Sequence, residues 1–150
     1  MMSLFYKRLY KSMEVVSVIF LAGMVVVVSI VVIGRYVFNS TPAWGEEIGL
    51  FCMVWFALLS AAMGIFDGCH IRVTILSNLL SEKASRILDL VVNMFLLGIF
   101  GFLIYNGILL VVLSQNSLMG GSGIPFMYLN AAVPVSALCM VFAVISKYIK

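Results

Sequence analysis

Catalysis and metal binding need titratable or nucleophilic side chains gathered in one place. This sequence offers six Asp or Glu, nine Lys or Arg, one His and three Cys in 150 residues. His70 stands alone, whereas a metal centre takes three or four clustered ligands. An axial pair of histidines for a haem is equally lacking. Cys52, Cys69 and Cys139 are scattered and form no CxxC spacing, so neither a disulfide framework nor a zinc site is supported. Thiols buried in apolar runs are the plain expectation. There is no nucleophile with its base, no phosphate-binding loop and no pair of catalytic carboxylates, so no enzyme is expected and no cofactor in this chain. No basic stripe with interleaved aromatics points to a nucleic-acid partner.

The polar residues that do need a role concentrate between Gly34 and Arg72. Here lie Arg35, both tryptophans (Trp44 and Trp55), the pair Glu46-Glu47 and His70. Arg is the natural fork partner of a carboxylate, so Arg35 is expected to pair with Glu46 or Glu47 and fix the angle between two helices. The competing expectation is that one glutamate pairs with a partner subunit. Between Glu47 and Asp67 lie 19 uncharged residues, Ile48 to Phe66, about enough helix to cross a bilayer core.

The elements that hold these residues follow from composition. The chain is 64% hydrophobic and 10% charged, with a mean hydropathy of +1.20. A soluble domain carries about 25% charged residues, so this chain cannot clothe a water-facing surface. Its apolar runs are long and lack the period-2 alternation of membrane barrel strands. The fold class is therefore all-α, an integral membrane protein of four transmembrane helices forming one helical domain over residues 1–150. The spans are expected at about 13–33, 42–66, 84–113 and 125–146. The first is too long for a signal-peptide apolar core, which runs about 7–15 residues. Lys7, Arg8, Lys11, Arg72, Lys83, Arg86, Lys147 and Lys150 fall on one side and Arg35 alone on the other. By the positive-inside rule both termini face the cytoplasm, N-in and C-in. Helical spacing over residues 71–80 suggests a short cytoplasmic interfacial helix.

Local signals refine this. Thr41-Pro42 reads as an N-cap followed by Pro at the first helical position, and Pro134 should kink the fourth helix. Glu14 and Asp89 are expected to pair with Lys11 and Arg86, three residues away, at the membrane surface. Asn106 and Asn130 lie at comparable depth, where an interhelical hydrogen bond is expected. Trp44 suits the outer aromatic belt, and Trp55 needs an acceptor for its N–H. Ala57, Ser60, Ala61 and Gly64 give the second helix a small-residue side that would admit a close neighbour, and Gly98 and Gly101 serve packing in the third.

In this order of spans the chain resembles the small membrane subunit, the Q or DctQ-type component, of tripartite ATP-independent periplasmic (TRAP) transporters. The resemblance rests on Arg35-Tyr36-Val37-Phe38, on Trp44 with Glu46-Glu47, on Trp55 and Ala61-Ala62, and on His70-Ile71. Ile124-Pro125 and Val133-Pro134-Val135 continue it, and the chain departs from it at Asp67-Gly68, where the family often has a basic residue. It implies a sodium-driven importer of an organic acid in a bacterial inner membrane. A periplasmic substrate-binding protein would deliver the solute to a large membrane subunit that binds it and sodium, while the small subunit acts as a scaffold. Trp55, Ala57, Ser60, Ala61 and Gly64 would face that large subunit, with lipids covering the rest. The residues themselves leave the substrate open among dicarboxylates, keto acids, sugar acids and sialic acid; a slight lean to a sugar acid such as sialic acid rests on no residue. Two rivals stand beside this reading: a small multidrug-resistance-type proton-coupled exporter, with Glu14 as its carboxylate, and a structural subunit of another membrane complex.

Overall fold

A computed structural model describes residues 2–67 and 82–148, of which 2–6, 82–86, 89 and 146–148 are described by backbone alone. His70, Arg72, Cys69 and the expected interfacial helix over 71–80 lie outside the described residues, as do the side chains of Lys83, Arg86, Asp89 and Lys147. The described residues are helical: α1 (Met2–Val37), α2 (Ala43–Phe66), α3 (Glu82–Ser114), α4 (Phe126–Asn130) and α5 (Ala132–Tyr148). Four spans are long and apolar enough to cross a membrane: Lys7–Val37, Ala43–Phe66, Leu90–Ser114 and Phe126–Ile145.

Three boundaries differ from expectation, each for a physical reason. Helix α1 runs well past 13–33 at both ends, because nothing in Lys7–Ser12 or Arg35–Val37 breaks a helix. Only Val15 to Gly34 is free of charge. Those 20 residues rise about 30 Å, the thickness of the hydrocarbon core, so the surplus turns project beyond it. Helix α2 starts at Ala43 with Pro42 as its N-cap and no side-chain cap hydrogen bond. Thr41 therefore does not cap it. The fourth span is interrupted at a single residue: α4 stops at Asn130 and α5 begins at Ala132, while Ala131 between them keeps helical dihedrals and donates to Met127 O. Pro134 has no N–H for the Asn130 carbonyl, and its ring crowds that same carbonyl.

The helices form a row. Helix α1 packs on α2, α2 on α5 and α5 on α3, and α4 also touches α3. Among the described residues no substantial contact joins α1 to α3, so the row does not close into a bundle. Close approaches are made where a side chain is missing. A Cβ on Gly45 would run into Val31 of α1, and one on Gly107 would lie 2.9 Å from Pro134 Cδ and 3.1 Å from its nitrogen. Toward the basic end a cluster of Met13, Leu59, Ala62, Ile65, Phe100, Met140, Ala143 and Val144 is buried. Higher up, Trp55 stacks on Phe20 with ring centroids 5.6 Å apart, and Phe51 meets both rings.

Two substitutions test this packing. Gly107→Val should split the α3–α5 contact and cost about 1–3 kcal/mol, read as a lower unfolding midpoint of the purified chain in detergent. Ser17 is 2% exposed, and its hydroxyl has no hydrogen-bond partner among the described residues. Ser17→Ala should therefore raise the same midpoint, by up to the roughly 1–3 kcal/mol that an unpaired buried polar group costs.

Candidate interaction surface

At the end of the row opposite the basic one, called the outer end, the loop between α3 and α4 folds back over the start of α2. Met119 N–H donates to Ile124 O at 2.9 Å, Gly123 N–H to Met119 O at 2.9 Å and Phe126 N–H to Ser117 O at 2.9 Å. Gly123 takes φ +70° in the tight turn, a conformation glycine adopts without steric cost. Gly121 lies with its backbone directly against the Ala43 carbonyl, where a Cβ has no room. The Glu47 carboxylate holds this loop. It accepts from Gly121 N–H at 2.8 Å, from Ser122 N–H at 2.7 Å and from Ser122 Oγ at 2.7 Å. Successive backbone N–H groups make a concave anion seat, and hydrogen bonds to an ionised acceptor are the stronger kind.

This seat corrects the expected pairing of Arg35. Among the described residues Arg35 is exposed and makes no ion pair with Glu46 or Glu47, because Glu47 is already occupied by amides. Between α1 and α2 the turn closes through backbone instead, with Phe38 N–H and Ser40 N–H both donating to Gly34 O, at 3.2 and 3.0 Å. Asn39 takes φ +48° there. Tyr36 and Phe38 point outward, 78% and 72% exposed, and Trp44 and Glu46 are exposed near the same end.

Trp55 finds its acceptor within the chain, donating to the Tyr128 carbonyl at 3.1 Å. Its N–H and one ring face are thus used inside the row. The expected bond between Asn106 and Asn130 is not made. Asn130 donates to Ser114 Oγ at 2.9 Å, while Asn106 turns back to the Phe102 carbonyl of its own helix at 2.9 Å. At the basic end Tyr10 Oη donates to Asp67 at 3.0 Å, joining α1 to the end of α2. Lys11 and Glu14 are both exposed and do not pair. Glu14 lies on that basic end and not at mid-membrane, the depth an exporter carboxylate would occupy.

The remaining candidates line one open strip of α2. Glu46, Leu50, Met53, Ala57 and Ala61 are exposed at spacings of three and four, one helix face. Gly64 continues it with nothing within 4 Å of a would-be Cβ, and Ser60 is half-buried beside it. Large side chains thus stand at the outer half and small ones at the inner half. Pro125 and Pro134 serve inside the chain, as the N-cap of α4 and at the α3–α5 contact. Sequence reasoning missed the partner of Glu47. The signal was present in Gly120-Gly121-Ser122-Gly123, an uncharged, glycine-rich turn of the kind that offers backbone N–H groups to an anion.

Little of this surface is covered. Of the most apolar window in each span, 6% of residues are buried in α1, 22% in α2, 11% in α3 and 39% in the fourth. The chain exposes 10347 Å², against roughly 7,600 Å² for a compact soluble chain of its 16.5 kDa mass.

Known proteins resemble this chain along most of its length. A family described as tripartite ATP-independent periplasmic transporters, DctQ component, matches residues 24–150. Two putative TRAP transporter small permease proteins of Haemophilus influenzae are similar to it. One is 29% identical over 144 residues, 96% of this chain and 87% of the relative. The other is 30% identical over 133 residues, 85% of this chain and 83% of the relative. The sialic acid TRAP transporter small permease protein SiaQ of Vibrio cholerae is 25% identical over 134 residues, 89% of this chain and 78% of that protein.

The seat for Glu47 gives a direct test. Amide exchange at Gly121 and Ser122 should be faster in Glu47→Gln than in the wild type and faster still in Glu47→Ala. Glutamine keeps one acceptor oxygen without the charge, and alanine keeps none. Hydrogen–deuterium exchange of the chain in detergent reads the order.

Proposed function

We propose a role for this chain from an established premise: it belongs to the DctQ component family of tripartite ATP-independent periplasmic transporters. As the small membrane subunit it would serve as a scaffold for the large subunit that carries the solute. One observation supports this above the others. The spans form an open row, with the outer helices α1 and α3 hardly covered by the rest of the chain, and α2 presents a strip that ends in Ala57, Ala61 and Gly64. In lipid, small residues let another backbone come close, so this strip is where the large subunit would dock. Trp55 and half-buried Ser60 would border it.

The described Asp, Glu, Lys and Arg side chains sit near helix ends, away from the middle of the spans where transporters gather substrate and ions. Solute and sodium would therefore be handled by the large subunit. The membrane would be the bacterial inner membrane, with both termini cytoplasmic and lipid over the uncovered faces. The outer end, with the Glu47-held loop and exposed Tyr36, Phe38 and Trp44, would face the periplasmic substrate-binding protein. An organic acid is the proposed cargo. A sugar acid of the sialic type is the first to assay, because one relative carries sialic acid in its name.

Gly64→Leu separates folding from assembly. The site is open in the chain alone, so the variant should keep the wild-type unfolding midpoint and gain slightly in helix propensity. It should nevertheless recover much less of the large subunit in affinity co-purification, on the order of tenfold less if docking loses about 1.4 kcal/mol. Undiminished co-purification would remove this strip from the interface.

A further inference from the structure

On the side of α1 turned away from the row, at its basic end, the exposed residues Arg8, Lys11, Ser12, Val15 and Val16 line a shallow, open cleft of about 490 Å³. The five positions follow the spacing i, i+3, i+4, i+7, i+8, a single helix face. Along that face the chemistry changes in one direction. A guanidinium, an ammonium and a hydroxyl come first, then two valines at the start of the 20 uncharged residues Val15 to Gly34. The distance from Arg8 to Val16 is about 12 Å of helix rise. Neither cation is spoken for: Arg8 and Lys11 are exposed and make no ion pair among the described residues, and Glu14, one turn from Lys11, leaves it free.

We propose that this cleft binds an anionic phospholipid, its phosphate held by Arg8, Lys11 and Ser12 and the first part of its acyl chains lying along Val15 and Val16. The Arg8 fork can grip two phosphate oxygens at once, and Lys11 adds a compact charge. The order of polar and apolar groups along the helix matches the order of headgroup and chain in a leaflet. A soluble anion would use the cations but leave the valines without a partner, so the site suits a lipid rather than free phosphate. The lipid would fill the outside of α1, an edge of the row that no other described helix covers.

Native mass spectrometry of the delipidated full-length chain, with dioleoylphosphatidylglycerol or dioleoylphosphatidylcholine added back, tests the assignment. The wild type should retain one phosphatidylglycerol in preference to phosphatidylcholine, and excess inorganic phosphate should not displace it. At about fivefold for each basic residue near an anionic headgroup, Arg8→Gln/Lys11→Gln should bind it on the order of 25-fold more weakly. Arg8→Lys/Lys11→Arg, which keeps both charges, should retain most of the binding. Lys147→Gln/Lys150→Gln, with the same loss of charge elsewhere, should bind as the wild type does. Because Arg8 and Lys11 are exposed, unfolding midpoints should not change in their variants, which keeps a folding defect distinguishable. Equal retention of both lipids, displacement by phosphate, or an equal loss in the Lys147/Lys150 control would overturn the assignment. So would unchanged lipid retention in Arg8→Gln/Lys11→Gln together with failed co-purification of the large subunit, which would make the cleft a protein contact.

Discussion

A helix in hydrocarbon gains little by turning its apolar side chains toward another helix, because lipid tails are as apolar as leucine. Association then depends on how closely backbones approach and on the polar groups that find partners. The row depends on this constraint. Its tightest contacts occur at absent side chains, Gly45 against Val31 and Gly107 against Pro134. In water a single layer with α1 and α3 bare on most sides would collapse or aggregate. In a bilayer those faces cost nothing to leave open, so the chain can remain a layer and offer its surface to something else.

The outer half is held by polar contacts around the start of the fourth span. Pro134 leaves the Asn130 carbonyl without its helical donor, while Ala131 stays helical. Helix α4 offers the Tyr128 carbonyl to Trp55 and the Asn130 amide to Ser114. Residues 117–126 are closed by their own backbone bonds, and the loop tip reaches Glu47. The Trp55 bond joins α2 to α4, the Asn130 bond joins α4 to α3, and Glu47 ties α2 to the loop between those two, so α2, α3 and α4 are fixed to one another through paired polar groups. The basic half has the opposite character: a buried apolar cluster between Met13 and Val144, with the Tyr10–Asp67 bond at its rim.

Much of this architecture was legible in the sequence because lipid simplifies the reading. Long uncharged runs bounded by charged residues mark the spans, and the four membrane-length helices overlap the expected ones. What was not legible depends on direction in space. Arg35 and Glu47 are close along the chain and opposite in charge, yet Glu47 is claimed by amides 74 and 75 residues away. Charge attraction could be read from residue types, but the fold-back of an uncharged loop could not. Asn106 and Asn130 failed to meet for a related reason. A local bond to a carbonyl four residues back requires no second helix to arrive at the right rotation. Thr41 lost its capping role because Pro42, already extended at φ −66° and ψ 122°, occupies the position just outside the helix.

The reading of this chain as a support gains force from how its contacts could move. Elements that switch have two packings of similar energy, and interlocked cores are bistable only when both packings are well made. Here Gly45 and Gly107 are each matched to one bulky neighbour, Val31 and Pro134. Sliding α3 by a turn would set Leu103, Ile104, Leu110 or Val111 where Gly107 now admits Pro134. Glu47 and Trp55 add fixed anchors on the same helix. The row would therefore shift as one piece, and a large subunit leaning on α2 would find a surface that keeps its shape while the moving parts lie elsewhere. An open layer suits this task better than a closed bundle. It spreads few residues over a broad face, and all four spans remain within reach of a partner.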